Sequence, residues 1–548
     1  MAKKDTLITP QQPSDFWLPA GLIIILLAST WAREITRPFY GLHSWAQASG
    51  TWAARAHAKY GLAYTKGMST WAVGDPPAKN PPRYLDHPQL GCLIAAAAMA
   101  VFGINEWSVR IPVIVISLAT FLIFLNILRG LLDNKTALLA GLLYALFPLS
   151  AYFSFGGWGT FFSFSALWCY LVLTGLLKTG PKPSFVHRFG LAASLFMALQ
   201  FGWEGFFYAL AIGLHYVSRC IWRRQMPDKS LLAILIIAPL SSLLLNFTIM
   251  ASGYGWDLQK IVELYKWRSA KGEMEQTMQE FDWGAWLAKF WEYALTNFTL
   301  PILITTIAYL TFGQLLIFTE PRPDKKEDRR PRQFPHFWLF AITPISQLLI
   351  LRGALWRHQT WEQPLGPLIA ISAAQAVMLL ADILAKIHRR LAAACVVAFT
   401  AVFFISCAIG TNYYYAIRWQ PEAKIEMFKM LNRNIPPDKA LLSYEDFIVN
   451  QHSSKGAFYR PEIAWYLDRD ITPATTFEEV QRSAETGRYP YYLIPAVTEL
   501  SPLINQLNQH YNIWKRIPDN PGETRNGKFF KASMLPYLIF DLRSKTLN

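Results

Sequence analysis

Apolar runs of about 17–25 residues recur along this chain from Phe16 to Gly410, the length needed to cross a hydrocarbon core. A chain patterned in this way is restricted to a polytopic membrane bundle. Hydrophobic residues make up 53% of its 548 residues and charged residues 16%. The first run, Phe16–Ala32, leads into further spans and has no clear small-residue cleavage site, so it reads as a retained helix and not as a signal peptide.

The net charge of +15 belongs to the topology. Basic residues collect at the N-terminus, at Arg129 and Lys135, at Lys178, Lys182 and Arg188, at Arg223–Lys229, at Pro321–Arg332 and at Lys386–Arg390. Lys and Arg favour cytoplasmic loops. With all these clusters inside, the runs between them pair into about eleven spans, and no nucleic-acid partner is needed to explain the charge. The five cysteines sit in apolar segments without CxxC or metal-like spacing and read as packing residues.

The charge pairing works only if the run after His87 does not cross. Leu90–Phe102 would be about 20 Å long as a helix against a core of roughly 30 Å. It is expected to be a juxtamembrane or re-entrant helix in a long first external loop, 33–107, within a transmembrane domain of residues 1–410. Beyond it, β-branched and aromatic runs bounded by turn residues predict a small soluble α/β domain over 411–548, outside the cytoplasm. In the first loop Trp45, Ala48, Trp52, Ala53 and Ala56 share one helical face, predicting a helix lying on the membrane surface, with Arg55 off that face.

The unusual polar residues then fall on the external side. Glu204 stands in "GWEG" at a turn between spans, where an acid at membrane depth is costly and is expected to face a cavity. Arg352, Arg357, His358 and Trp361 share another external turn. Cations on that side are not explained by topology, and guanidinium groups suit phosphate. No Walker loop, dinucleotide-binding glycine pattern, HExxH or GxSxG motif is present.

His87, Pro88 and Leu90, followed by Phe102, Gly103, Asn105, Glu106, Arg110 and Pro112, resemble the "HPPL…FG-x-N/S-E-x-x-x-R-x-P" pattern of GT-C glycosyltransferases. The closest branch is that of protein O-mannosyltransferases and lipid A aminoarabinose transferases. The resemblance covers about Arg37–Leu177; the later spans match in layout only. It implies an all-α GT-C bundle with juxtamembrane helices. It also implies transfer of a sugar from a polyprenyl-phosphate donor to a glycan, lipid or protein acceptor on the non-cytoplasmic face, in a setting such as the bacterial inner membrane. A carboxylate near the start of the first loop usually serves as base or metal ligand in that family. Here "GLHSWAQ" puts His43 at that position, and the next acids are Asp75 and Asp86.

Such transfer needs a base, stabilisation of the leaving phosphate and room for a prenyl chain. The expected catalytic candidates are Asp86, His43, Asp75 and Glu204. The substrate-binding candidates are Arg352, Arg357, His358, His87, Arg55 and Trp361. A divalent metal ion is the one cofactor the chemistry admits. A lipid or sugar transporter without bond-breaking chemistry is the alternative reading.

Overall fold

The computed structural model describes residues 14–155, 157–177, 180–269, 281–313, 337–450, 457–517 and 536–545. The basic 321–332 stretch lies outside them. The chain is mostly helical, with a small mixed sheet near its C-terminus. Its contacts divide it into two compact units.

The first unit takes in Met1–Glu34, Val113–Phe247 and Leu264–Asn412. Its core is aliphatic and aromatic: Phe121, Phe124, Tyr144 and Phe155 are buried together, with the Tyr144 and Phe155 rings 4.5 Å apart. Small residues allow close helix approach. A Cβ on Gly205 would come within 2.8 Å of the Ala198 backbone, and one on Gly366 within 2.7 Å of the Tyr144 ring.

Four helices among the described residues are long and apolar enough to cross a membrane: Glu106–Leu131, Lys229–Gly253, Leu365–Ile387 and Arg389–Ala416. A fifth candidate is the pair Trp283–Phe298 and Leu300–Phe312, bent by 107°. That count stops short of the eleven expected. The apolar run from Thr136 is split: Asn134–Leu146 ends at Phe147, and Pro148 opens a separate six-residue helix. A proline at that position starts a helix readily but cannot donate to the turn before it.

The second unit takes in Ile35–Pro112, Thr248–Glu263 and Tyr413–Asn548. The first loop and the C-terminal region are therefore one packed body. Five strands form its main sheet in the order β4-β1-β5-β7-β6: β1 (Leu441–Ser443), β4 (Ile471–Pro473), β5 (Tyr491–Pro495), β6 (Tyr511–Ile517) and β7 (Tyr537–Lys545). β1 runs parallel to β4 and β5, while β7 is antiparallel to β5 and β6. A separate hairpin pairs β2 (Ile448–Asn450) with β3 (Ala457–Tyr459).

The expected loop helices form at Ser44–Thr65 and Leu90–Phe102. The latter has 13 residues and packs Ala96 and Met99 into a cluster with Ala48, Ala54 and Phe428. The small-aromatic stripe of Ser44–Thr65 differs from expectation. Ala48, Trp52, Ala53 and Ala56 are wholly buried, not laid on a membrane surface. Trp52 stacks on Trp71 at 5.5 Å, and Trp71 on Tyr84 at 4.9 Å. An apolar helical face has the same sequence pattern whether protein or lipid covers it.

Candidate active site

The candidate residues fall into both units. Asp86, His43, Asp75, His87 and Arg55 lie in the loop unit, and Glu204, Arg352, Arg357, His358 and Trp361 in the other.

In the loop unit, the motif residues act as a clamp. Gly103 takes φ 85° and ends the Leu90–Phe102 helix, a conformation that costs glycine nothing. The Asn105 side chain accepts from Ser108 N at 3.0 Å, capping the Glu106–Leu131 helix. Glu106 accepts from the Tyr466 hydroxyl at 2.9 Å, and that hydroxyl accepts from Phe39 N at 2.6 Å. Arg110 donates to the carbonyls of Ile35 and Arg37 and lies over the Phe39 ring. Glu106 and Arg110 thus pin the start of the first loop at 35–39.

That loop turns into its first helix at His43, which takes φ 56°, an uncommon conformation for a non-glycine residue. The His43 side chain is buried, its ring 4.8 Å from that of Trp419. Burial pushes the imidazole from 6.5 down to about 4. The next residue, Ser44, donates through Oγ to Glu462 Oε1 at 2.8 Å. Glu462 opens the Pro461–Leu467 helix and is 1% exposed. Burial raises its carboxyl, opposed by the bond from Ser44 and the charge of Arg460. Sequence reasoning missed Glu462, because it is some 400 positions from its partner and stands in no motif.

Asp86 is also buried, in a bend held by Gln89. Gln89 accepts from Ser69 N at 2.6 Å and donates to the His87 carbonyl. His87 is half-buried, its ring 5.6 Å from that of Tyr84. Asp75 is exposed in a turn. Arg55 is 3% exposed and donates to the carbonyls of Trp465 at 2.7 Å and Ala464 at 2.9 Å, with Asp468 at 3.2 Å. Its guanidinium ties the loop helix to the Pro461–Leu467 helix.

In the other unit three turns converge. The middle one runs from Ser154 to Gly159. Glu204 packs its carboxylate against it: a Cβ on Gly159 would lie 2.0 Å from Oε1, and one on Gly202 2.1 Å from Oε2. The two glycines of "GGWGT" and "GWEG" thereby make room for the acid. From the third turn, Gln363 donates to the Ser154 carbonyl at 2.6 Å.

That third turn carries Arg352, Arg357 and His358. Arg352 donates to the Ser269 carbonyl at 3.1 Å and lies 4.0 Å over the Phe281 ring. The Arg357 side chain lies outside the described residues. His358 begins the Gln359–Glu362 turn, and Trp361 packs beside Trp286 and Leu355. Glu362 is wholly buried, accepting from Asn297 Nδ2 at 2.8 Å, and burial holds its carboxyl well above the ordinary range. Asn297 thereby fixes this acid at the 107° elbow.

Among the described residues no three His, Cys, Asp or Glu side chains gather to hold a metal ion, so no step is routed through one.

Residues 86–243 match the model of the dolichyl-phosphate-mannose-protein mannosyltransferase family. Comparison with curated protein sequences gives no match. Among solved structures, ArnT from Cupriavidus metallidurans bound to undecaprenyl phosphate is 13% identical, with a TM-score of 0.54 over 97% of this chain and 98% of its own. The apo state of the same protein gives 13% identity and a TM-score of 0.55 over 96% and 98%. The oligosaccharyltransferase of Archaeoglobus fulgidus in the apo form gives 12% identity and a TM-score of 0.49 over 86% of this chain and 69% of its own. The resemblance drawn from His87 to Pro112 therefore holds: the chain has the GT-C glycosyltransferase fold, with the mannosyltransferase family pattern over residues 86–243.

Proposed function

We propose that this protein is a glycosyltransferase that moves a sugar from a polyprenyl-phosphate-linked donor to an acceptor hydroxyl on the non-cytoplasmic face of the membrane. The observation that carries this reading is the likeness to ArnT over nearly the whole of both chains, in a structure holding undecaprenyl phosphate. The family match over 86–243 supports it. On this reading the shorter apolar helices, such as Trp158–Leu173 and Phe185–Phe201, complete a bundle of about eleven spans. The body formed by the first loop and C-terminal region lies outside the cytoplasm, and the membrane is a bacterial inner membrane.

Each unit, taken by itself, carries side chains suited to such chemistry. Displacement at the anomeric carbon puts charge on the leaving phosphate, which Arg352, Arg357 and His358 are suited to receive, with Trp361 against a sugar face. Glu204, set between glycines, is an acid for a sugar hydroxyl. Removal of the acceptor's proton falls to a carboxylate or imidazole of the loop unit, where His43, Asp75, Asp86 and His87 lie. A transporter that leaves the donor intact has no comparable support.

The test is incubation of membranes containing the protein with radiolabelled polyprenyl-phosphate sugars. Label should leave the lipid for a larger acceptor, in step with release of polyprenyl phosphate. Donor that crosses vesicles with its sugar–phosphate bond intact would refute the proposal.

A further inference from the structure

We propose that the turn between the helices Glu204–Arg223 and Lys229–Gly253 binds one anionic phospholipid of the surrounding bilayer. Its phosphate sits on Arg224, and an acyl chain lies in the groove beside it. This site goes beyond sugar transfer and does not depend on it.

A groove of about 390 Å³ lies at that turn, lined by Val217, Ile221, Met226 and Leu232 together with Arg224 and Gln225. The size falls within the roughly 300–1,000 Å³ of small-ligand sites. Ile221 is 72% exposed and Met226 90%, so protein leaves the apolar wall open. Trp222, also exposed, ends the same helix, and tryptophan favours the depth of lipid headgroups. A groove at that depth meets a phosphate at one end and a hydrocarbon chain along its wall.

Arg224 closes the first helix through its main chain. It takes φ 51°, its N–H donates to the Ile221 carbonyl at 3.1 Å, and Gln225 N donates to the Cys220 carbonyl at 3.0 Å. Glycine is the usual residue at such a position. The arginine side chain is therefore not needed for the cap. It is exposed and makes no ion pair among the described residues. Arg223 and Lys229, both exposed, stand on either side of the turn.

Basic residues gather in such turns for topological reasons, so the charge alone carries no argument. The neighbouring groove supplies the contrast. It measures about 300 Å³ and is lined by Leu173, Ser184, Arg188 and Asp228 among others. There the cation is already neutralised, with Arg188 on Asp228 at 2.8 Å. The other oxygen of Asp228 accepts from Ser230 N at 2.9 Å and Leu231 N at 3.2 Å. No acid lines the groove at Arg224. Its fork of donors suits a phosphate, and the apolar wall suits the chain that a free phosphate would lack.

The test is native mass spectrometry of the full-length protein from mixed micelles holding equal amounts of phosphatidylglycerol and phosphatidylcholine of the same chains. Wild type should retain one phosphatidylglycerol in preference to phosphatidylcholine, and excess inorganic phosphate should not displace it. Arg224→Gln should reduce that preference about fivefold, the weight of one cation near an anionic headgroup. Val217→Trp, which fills the groove and removes no charge, should reduce retention of the lipid as well. If the Arg224 variant does not fold, Val217→Trp carries the test. Arg390→Gln, an exposed cation that does not line the groove, should bind as wild type does. Equal retention of the two lipids by wild type overturns the assignment. So does a preference unchanged in both groove variants, one lost equally in Arg390→Gln, or one abolished by inorganic phosphate.

Discussion

Replacement of Arg55 by alanine should cost folding stability and leave donor binding alone. The guanidinium is 3% exposed and makes two charge-assisted bonds, to Trp465 O at 2.7 Å and Ala464 O at 2.9 Å, beside an ion pair with Asp468 at 3.2 Å. It also lies 5.2 Å from the Trp465 ring. Removal takes a donor from the Trp465 carbonyl, while Ala464 O keeps Asp468 N at 3.1 Å, and it does not strand a charge, because Lys59 holds Asp468 at 2.7 Å. Leaving a buried acceptor unsatisfied costs about 1–3 kcal/mol. In a unit of 150–250 residues each kcal/mol lowers the melting temperature by about 2–4 °C, so the expected shift is roughly 2–12 °C. The assay is thermal melting of detergent-purified protein followed by size exclusion, alongside donor KM below the transition. The outcome that refutes this reasoning is unchanged melting with a donor KM raised tenfold, since Arg55 would then be spent on the donor phosphate.

The remaining predictions follow the same structure. Tyr466→Phe strips the acceptor from Phe39 N and the donor from Glu106, and should cost about 1–3 kcal/mol by melting; an unchanged midpoint would mean the clamp on the first loop is unimportant. Gly205→Ala forces a Cβ to within 2.8 Å of the Ala198 backbone and should destabilise by about 1–3 kcal/mol in the same assay, with a neutral result ruling out the close helix approach. His43 and His57 are buried and pushed from 6.5 to about 4. Their contribution is therefore present above pH 6.5 and lost as pH falls from 6.5 through about 4, by at most about 3 kcal/mol each. Melting measured against pH should show that loss, and His43→Gln should flatten it. Glu462 has the opposite sign: its raised carboxyl stabilises at low pH, and that contribution fades as pH rises above the ordinary glutamate range, so Glu462→Gln should remove a decline on the alkaline side.

The sequence disclosed what depends on local pattern. The helix at Leu90–Phe102 was legible from its apolar run and the proline before it. The C-terminal sheet was legible from β-branched runs between turns. The partners of those segments were not legible. Nothing in "GLHSW" and "RPEIAWYLD" signals that Ser44 and Glu462 meet, nor that Arg55 caps carbonyls on the same helix, since such contacts join residues some 400 positions apart. The Ser44–Thr65 stripe misled for a physical reason: helix periodicity reports that one face is covered, not by what. Glu204 and Glu362 illustrate the same limit. Glu204 was legible as an acid at a turn and was expected to face a cavity, yet its carboxylate fills the space beside Gly159 and Gly202; Glu362 is identified only once Asn297 is seen to hold it.

Sided transfer tests the central claim most directly. Protein in vesicles of defined orientation is supplied with a radiolabelled polyprenyl-phosphate sugar and an acceptor on one face only. The account predicts label on the acceptor and free polyprenyl phosphate only when the acceptor shares the face of the C-terminal region. Equal transfer from either face, or donor redistributed with its sugar still attached, would contradict it.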